Sequence, residues 1–395
     1  MKYFIFIILP VFLSTSLFAQ KDSVTFIITG AGAGADAAYY LAGNQNSWNP
    51  ADEKYRFKKN GDGILSLTCY FDKATQLQFK FTRGSWDKVE CAADGTDINN
   101  HVIKTDTAAS QVYYIAAWKD QFTPAEKKHT SSSHVTVLDT AFSMPQLNRK
   151  RRIWIYLPEG YAASAKHYPV LYMQDGQNVF DAATAYVGEW GVDECLDSLI
   201  IQGRPACIVV AIDNGQGFRM NEYSPYAFTW KDSLNEKTLS PQGNEYLEFI
   251  TATLKPYIDK KFRTLRTKEN TIIAGSSMGG LIAYYAVIKY SQVFGKAGVF
   301  SPSFWAAPQL YGFTDSVAHT INAKLFFYVG EKEGAWFVND VNKMMEQLAT
   351  NSHTMIYSVT DTEGIHSETY WRKWFAEFYK WIVADGYNNV IRPED

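Results

Sequence analysis

A serine in a glycine-rich segment is the residue of this sequence best suited to covalent chemistry. Ser277 stands in the pattern Gly-x-Ser-x-Gly at 275–279, directly after the apolar run at 271–274. A serine hydroxyl becomes a good nucleophile when a neighbouring base takes its proton. A tight turn between a strand and a helix would expose the hydroxyl, and the glycines would leave room for the crowded backbones. The segment therefore predicts a serine nucleophile on such a turn, followed by a helix from Leu281 to about Tyr290.

A base is expected after the serine, because the order serine, acid, histidine is typical of nucleophiles on a strand–turn–helix segment. Three histidines follow, namely His319, His353 and His366. His366 lies between the last predicted strand and the last predicted helix, in the loop from which an imidazole reaches the serine. His353 precedes that strand, and His319 lies in an earlier connection. We therefore expect His366 to be the base.

The acid that orients the imidazole should follow the strand predicted at 324–329. Glu331 and Glu333 lie in the loop after this strand, and Asp340 lies farther along the chain. Such a carboxylate holds one histidine tautomer and stabilises the imidazolium. Glu333 is the favoured residue, with Glu331 and Asp340 as alternatives.

A tetrahedral oxyanion is stabilised by two backbone N–H donors. Met278, the residue after the nucleophile, is expected to supply one of them. The loop after the strand predicted at 168–173 is expected to supply the other, through Gln177. The helix that follows Ser277 would add the positive end of its dipole.

Strands and helices alternate in the second region of the sequence. Apolar strands are predicted at 168–173, 207–212 and 271–274, with helices between and after them. This alternation predicts a parallel sheet with crossover helices, and the apolar strands indicate burial on both faces. Together with the turn at Ser277, the pattern predicts an α/β-hydrolase fold for residues 135–395.

The first region, residues 20–122, consists of short alternating runs separated by turn residues, without helical periodicity. This pattern predicts an all-β, immunoglobulin-like sandwich. A polar stretch at 123–134 is predicted to be a linker. His129 and His134, in this stretch, are expected to be solvated.

A positively charged start and a nearly continuous apolar run at 4–18 predict a signal peptide at 1–19 and a secreted or periplasmic protein. No other run is long enough to span a bilayer. The net charge of the chain is −3, whereas nucleic-acid binding requires a basic surface. We therefore expect neither a membrane span nor a nucleic-acid partner.

The four cysteines lack the spacing of a metal site, and no metal or organic cofactor motif is found, so no cofactor is expected. Export would permit the local disulfides Cys69–Cys91 and Cys195–Cys207. Buried free thiols fit the sequence equally well.

The first region resembles the starch- and glycogen-binding carbohydrate-binding modules. The segments YYLAGNQNSWNP, LQFKFTRGSWDKVE and DINNHVI carry this resemblance. It implies glucan contacts by Trp48, Lys80, Trp86 and Asn99 or Asn100, since indole faces stack on sugar rings. A purely structural role of the two tryptophans is the alternative.

The whole second region resembles the esterase group that holds esterase D, ferric-enterobactin esterases, and the feruloyl and acetyl-xylan esterases of carbohydrate esterase family one. The segments RRIWIYLPEGY, YPVLYMQDGQNVFD, TIIAGSSMGG, FSPSFW and GIHSETYW carry it. It implies Ser277 as nucleophile, His366 as base and Glu333 as acid. It also implies that Trp305 and Arg219 lie near the substrate, with core packing and loop bracing as their alternatives.

These features predict a secreted serine carboxylesterase that removes feruloyl or acetyl groups from plant polysaccharide through an acyl-enzyme. The same chemistry on a siderophore or another small ester is the first alternative. A catalytically inactive glycan-binding protein is an alternative of a different class.

Overall fold

The computed structural model describes residues 21–30, 37–46, 48–61, 63–72, 75–106, 109–122, 127–186, 188–231 and 236–384. The predicted signal peptide lies outside these residues. Contacts divide the chain into two compact units, one of residues 1–125 with 231–236 and one of 126–230 with 237–395. Within the described ranges, no helix is long and apolar enough to cross a membrane.

The first unit is built from short strands. In the described residues these are β1 (Lys21–Gly30), β2 (Tyr40–Gly43), β3 (Lys58–Lys59), β4 (Leu65–Asp72), β5 (Gln76–Thr82), β6 (Glu90–Cys91), β7 (His101–Lys104), β8 (Ser110–Ile115) and β9 (Ala117–Trp118).

Two main sheets of the first unit share one hydrophobic core. Their strand orders are β3-β4-β1-β8 and β2-β5-β7, and β6 pairs with β9. Alternate residues of β1, β4 and β5 point into the core. There the rings of Phe26 and Phe79 meet edge to face, with centroids 5.3 Å apart. Every second residue of these strands is buried, as the alternating sequence pattern of an all-β unit predicts. The immunoglobulin-like topology stays a prediction.

The second unit is organised around an eight-stranded sheet with the order β10-β11-β13-β12-β16-β17-β18-β19, and β14 and β15 form a separate pair. The first two strand pairs are antiparallel, and all following pairs are parallel. The carboxyl ends of the parallel strands therefore meet at one edge. The strands are β10 (Val135–Met144), β11 (Arg149–Tyr156), β12 (Val170–Met173), β13 (Ile208–Ile212), β14 (Phe228–Lys231), β15 (Glu236–Leu239), β16 (Thr271–Ser276), β17 (Lys296–Phe300), β18 (Lys324–Gly330) and β19 (Met355–Asp361).

Helices cover both faces of this sheet. The alternation is visible in β16, where Ile272 and Ala274 join one core cluster and Ile273 joins the other. The result is the α/β-hydrolase fold. The α-helices of the described residues are α1 (Val192–Ile201), α2 (Arg219–Glu222), α3 (Gly243–Glu248), α4 (Lys255–Lys261), α5 (Met278–Lys289), α6 (Gln309–Val317), α7 (Ala335–Asn351) and α8 (Glu368–Val383), and a π-helical segment, Phe249–Leu254, lies between α3 and α4.

The four cysteines are free thiols, so of the two alternatives left open by the sequence the free thiols are correct and neither local disulfide forms. Cys69, Cys91 and Cys207 are buried, and Cys195 is half-buried. Burial raises the pKa of Cys69 and of Cys207 to about 12, which keeps both thiols protonated.

The described part of the predicted linker, residues 127–134, forms hydrogen bonds within the second unit. His134 Nδ1 lies 2.9 Å from Asp197 Oδ1, and the His134 side chain is only 29 % exposed. His129 Nδ1 lies 2.6 Å from Asp181 Oδ2, although its side chain is 79 % exposed. The expectation of a solvated side chain is therefore wrong for His134 and agrees with the exposure of His129, and each histidine also meets a carboxylate distant in sequence.

Candidate active site

Ser277 lies on a strained turn between β16 and α5. Its φ is +59° and its ψ is −123°, a conformation that L-residues rarely adopt. Its amide donates to the Phe300 carbonyl at 2.9 Å, and its carbonyl accepts from the Ser303 amide at 3.1 Å. A Cβ atom at Gly275 would lie 2.7 Å from the carbonyl oxygen of Gly279. Glycine therefore lets the strand and the helix approach closely around Ser277.

Helix α5 begins at Met278, earlier than the predicted start at Leu281. Gly280 explains the difference, because a Cβ atom there would lie 2.8 Å from the Phe300 carbonyl oxygen. The glycine allows the first turn to pack against the end of β17. Since Met278 is the first residue of the helix, the helix itself offers its N–H no acceptor. Met278 thus stands where an oxyanion donor is expected.

Glu333 and His366 are joined at the carboxyl ends of β18 and β19. His366 Nδ1 lies 2.7 Å from Glu333 Oε2, and the glutamate side chain is only 1 % exposed. Glu333 Oε1 accepts from the Ser301 hydroxyl at 2.6 Å and from the Gly330 amide at 2.8 Å. These bonds fix the carboxylate and favour the tautomer in which Nδ1 carries the proton and Nε2 is free to accept one.

Aromatic rings hold the His366 imidazole. Phe337 and Trp371 meet it edge to face, with centroid distances of 5.5 and 5.0 Å. The Trp371 indole N–H donates to the Ser301 hydroxyl at 2.9 Å, and its ring stacks on Trp190 at 5.9 Å and 24°. The Trp371 ring, which faces the histidine, is therefore itself held in place by stacking and by a hydrogen bond.

Ser277 and His366 face one cavity of about 820 Å³. The Ser277 hydroxyl lies 3.3 Å from that of Ser303, which is 2 % exposed. Most of the side chains that line the cavity are polar or charged. They are Arg152, Asp175, Gln177, Asn178, Thr184, Tyr186, Asp213, Asn214, Gln216, Arg219, Ser276, Ser277, His366, Glu368 and Trp371.

Arg219 combines the two roles considered for it, since it lines the cavity and braces a loop. Its Nε and a terminal nitrogen donate to the two oxygens of Asp175 at 2.7 and 2.9 Å. Asn214 donates to the same carboxylate at 2.7 Å. Burial acts to lower the pKa of Arg219, but the charge of Asp175 outweighs it and raises that pKa. The guanidinium is therefore permanently charged and already paired.

Two further carboxyl groups line the cavity. Asp213 accepts from Arg152 Nε at 2.8 Å, and burial raises the pKa of Asp213. Glu368 is the first residue of α8, and its carboxylate accepts from the side-chain amide of Asn178 at 3.3 Å. Burial, followed by repulsion from Asp175, raises the pKa of Glu368. The cavity thus offers many hydrogen-bonding groups and little unpaired positive charge.

The remaining predicted residues of this unit have different positions. Gln177 lies in the 3-10 turn Gly176–Asn178 and faces the cavity, where its Oε1 accepts from the Asn214 amide at 3.1 Å. Trp305 packs edge to face against Phe228 at 5.8 Å and is 36 % exposed. Among the described residues, Trp305 does not belong to the lining of this cavity.

Two of the predicted glucan-contacting residues meet in the first unit. Trp48 and Trp86 have ring centroids 6.2 Å apart, tilted by 40°, and both are half-buried. Asn99 and Asn100 are exposed. Lys80 donates to the Ile98 carbonyl, and burial lowers its pKa. The tryptophans form a pair, while the lysine is occupied by the backbone.

Sequence reasoning missed Ser301, Ser303, Trp371 and Glu368. The serines stand in FSPSFW, directly after β17, and position at a strand end was the available signal. Trp371 and Glu368 lie on the helix after His366. A search of the residues that follow His366 would have found Glu368 and Trp371.

Curated relatives match different shares of the chain. The uncharacterized protein YbbA of Bacillus subtilis is 26 % identical and covers 59 % of this chain and 93 % of its own. An alpha-amylase of Niallia circulans is 41 % identical over 26 % of this chain and 8 % of its own. An endo-1,4-beta-xylanase/feruloyl esterase of Xylanibacter ruminicola is 26 % identical over 46 % of this chain and 23 % of its own. This chain thus spans less than a quarter of the last two proteins.

Solved structures extend the likeness of the fold. The enterobactin esterase FES from Shigella flexneri superposes with a TM-score of 0.52 and 14 % identity, covering 91 % of this chain and 93 % of its own. The family model described as Putative esterase matches residues 144–382, which is more than half of the chain. The chain therefore belongs to this family of ester hydrolases.

Proposed function

We propose that this chain is a secreted or periplasmic serine carboxylesterase that removes feruloyl or acetyl groups from plant polysaccharide. One observation carries the catalytic part of the proposal. Ser277, on its strained turn, shares a cavity with His366, whose Nδ1 is bonded to the shielded carboxylate of Glu333.

The proposed reaction proceeds through an acyl-enzyme. Ser277 Oγ attacks the ester carbonyl while His366 Nε2 takes the hydroxyl proton. The amides of Met278 and Gln177 stabilise the oxyanion. His366 then gives the proton to the leaving alcohol, and the bond between the carbonyl carbon and this alcohol breaks. Water, deprotonated by His366, then attacks the acyl-enzyme. The bond between the carbonyl carbon and Ser277 Oγ breaks while His366 returns the proton to this oxygen, and the acid is released.

The polar lining of the cavity supports a hydroxylated substrate. Asn178, Asn214 and Gln216 offer amide groups, and the two arginines are already paired with Asp175 and Asp213. A polar lining can bind sugar or phenolic hydroxyls, whereas a long aliphatic acyl chain would gain little from it.

The names of two relatives support a polysaccharide as the substrate. The Xylanibacter protein is a xylanase/feruloyl esterase by its name. The Niallia protein is an alpha-amylase, and the tryptophan pair of the first unit suits a sugar ring. In this proposal Trp48, Trp86 and Asn99 or Asn100 contact glucan, and Lys80 positions the backbone at Ile98.

A siderophore ester is the second candidate. The fold likeness to the enterobactin esterase FES over most of both chains favours it. An anionic metal–catecholate complex would, however, need unpaired positive charge, and the two cavity arginines each face an aspartate. We therefore rank the neutral, hydroxylated ester first.

The test uses the full chain and its Ser277→Ala variant, with Ser316→Ala at an exposed serine as control. Hydrolysis of 4-nitrophenyl acetate, methyl ferulate, acetylated xylan and enterobactin is measured side by side. We expect at least about a 10³-fold loss in Ser277→Ala, since removal of a catalytic serine leaves only the binding contributions. Preference for the ferulate or xylan ester would support the first substrate class, and preference for enterobactin the second. A folded wild-type protein without esterase activity would contradict both and leave glycan binding.

A further inference from the structure

Tyr186 presents an open aromatic ring in the lining of the cavity that Ser277 and His366 share. It is 78 % exposed. Of the two phenol or indole rings in the described lining, the other belongs to Trp371, which is only 4 % exposed and already stacks on Trp190. Within the described residues, Tyr186 is therefore the lining residue whose ring face a ligand can reach.

Hydrogen bonds tie the backbone at Tyr186 to a turn beside the candidate catalytic residues. The Tyr186 amide donates to Asn178 Oδ1 at 3.0 Å. The Thr184 hydroxyl donates to the Gln177 carbonyl at 2.8 Å. Gln177 and Asn178 belong to the 3-10 turn after β12, from which an oxyanion donor is proposed. The segment that carries the exposed ring is thus fixed to the wall of the cavity.

The segment before β10 holds the same loop from the other side. The buried carboxylate of Asp181 accepts from the Thr130 amide at 3.2 Å, and its Oδ2 lies 2.6 Å from His129 Nδ1. Lys127 Nζ donates to the Ala185 carbonyl at 2.5 Å. The loop combines a fixed backbone with an exposed ring. A ligand that stacks on this ring therefore does not have to order the loop first, which lowers the entropic cost of binding.

We propose that the Tyr186 ring stacks on the aromatic ring of an aryl acyl group and makes the chain prefer feruloyl over acetyl esters. A feruloyl group carries an aromatic ring that is conjugated to the ester carbonyl through a C=C bond, whereas an acetyl group carries only a methyl group. Only the feruloyl ring can form an offset-stacked or edge-to-face pair with a tyrosine. Resting on the esterase function proposed for this chain, the contact narrows its substrate class to aryl esters.

The polar neighbours of Tyr186 in the lining suit the substituents of such a ring. Thr184, Asn178 and Gln216 line the same cavity. A few polar groups beside an aromatic surface fix the orientation of a ligand, and the phenolic hydroxyl and methoxy oxygens of a feruloyl group can meet them. A sugar ring on the alcohol side of the ester is the other ring that could stack there. The two are separated by changing the acyl group while the alcohol stays the same.

The first experiment therefore compares 4-nitrophenyl ferulate with 4-nitrophenyl acetate, which share one leaving group. kcat/KM is measured for the wild type, Tyr186→Ala and Tyr186→Phe, with Tyr114→Ala as control at a tyrosine 75 % exposed on β8. We expect Tyr186→Ala to lower the ferulate-to-acetate ratio of kcat/KM about 3- to 10-fold, the range that one aromatic pair supplies. Tyr186→Phe keeps the ring and should retain the wild-type ratio, as should the control.

Three results would overturn the proposal. An unchanged ratio in Tyr186→Ala would do so even if both constants fell together, because a loss common to both esters does not come from the aryl ring. A ratio that falls equally in Tyr186→Phe would assign the effect to the hydroxyl group. A loss of activity on acetylated xylan at an unchanged ratio would place the tyrosine against the sugar.

The second experiment measures binding without turnover, so that this contact and the esterase function can fail separately. Calorimetry follows methyl ferulate binding to Ser277→Ala and to the same variant with Tyr186→Ala added. We expect the added change to raise Kd about 3- to 10-fold. Equal binding by both would overturn the aryl contact and leave the esterase function in place. The expected rise in Kd, with a wild type that hydrolyses no ester, would keep the aryl contact and contradict the esterase function.

Discussion

The candidate active site of the second unit buries a key side chain, whereas the candidate sugar-binding site of the first unit leaves its side chains partly exposed. Glu333 in the second unit is 1 % exposed and has hydrogen bonds to Ser301, Gly330 and His366. Trp48 and Trp86 in the first unit keep part of their rings open to solvent. The difference follows from the chemistry, because proton transfer needs fixed donor–acceptor distances, whereas stacking on a sugar needs an accessible ring face. Substitutions should therefore affect turnover in one unit and affinity in the other.

The largest of these effects is expected for Glu333→Gln. The amide keeps the shape of the side chain but loses the charge that stabilises the imidazolium and selects its tautomer. We expect kcat for 4-nitrophenyl acetate to fall roughly 10²- to 10⁴-fold. Glu331→Gln and Asp340→Asn are the controls and should retain activity. Normal activity of Glu333→Gln with loss in either control would assign the acid elsewhere.

A smaller loss is expected for Ser301→Ala, since Ser301 positions Glu333. The change removes one hydrogen bond to Glu333 Oε1 and leaves the Trp371 indole N–H without its acceptor. A loss of about 1 to 1.5 kcal/mol corresponds to roughly a tenfold lower kcat. Because Ser301 does not line the cavity among the described residues, KM should stay unchanged. A rise in KM at constant kcat would contradict this positioning role.

The tryptophan pair should separate binding from turnover. Trp48→Ala and Trp86→Ala are each expected to weaken binding of soluble glucan about 2- to 10-fold, the range that one aromatic stacking contact supplies. Hydrolysis of 4-nitrophenyl acetate should not change. Affinity electrophoresis in amylopectin measures the first effect, with Trp336→Ala, an indole 56 % exposed on α7, as control. Equal migration of all four proteins would favour a structural role of the pair.

The smallest effect is expected for Glu368→Gln, measured as stability against pH. Burial raises the pKa of Glu368, so its protonated form is favoured in the folded protein. Its contribution to stability is present below the ordinary carboxyl pKa and is lost as the pH rises through the raised value. The neutral glutamine should therefore have a higher Tm than the wild type at neutral pH and a similar Tm in acid. Glu346→Gln, at an exposed site, should show no such trend, and a lower Tm of Glu368→Gln at neutral pH would contradict the assignment.

Local patterns made much of the fold and of the candidate catalytic segment predictable. The turn at Ser277 was predictable from the ten consecutive residues 271–280, and the alternation of strands and helices predicted the α/β-hydrolase fold. The esterase family is likewise confirmed. Position after a strand end was enough to select Glu333 and His366, which the structure brings to hydrogen-bonding distance.

Contacts between distant segments were not predictable in the same way. The bond between Trp371 and Ser301 spans 70 residues, and the pair of Asp175 and Arg219 spans 44. Neither pair has a local signature, because each depends on which strand ends become neighbours in the finished sheet. The start of α5 was misplaced for a related reason. Glycine has a low helix propensity, and the contact with β17 that requires glycine in the first turn is visible only in the folded structure.

The stacked indoles of Trp190 and Trp371 have an optical consequence. With centroids 5.9 Å apart and planes inclined by 24°, their electronic transitions are coupled. Coupled indole transitions give paired bands of opposite sign in circular dichroism. The pair of Trp48 and Trp86 contributes bands of the same kind. Since Trp371 also touches the imidazole of His366, the part of the signal that is lost in Trp190→Phe reports on the packing around the histidine without any substrate. The molecule thus contains its own spectroscopic probe of an intact site.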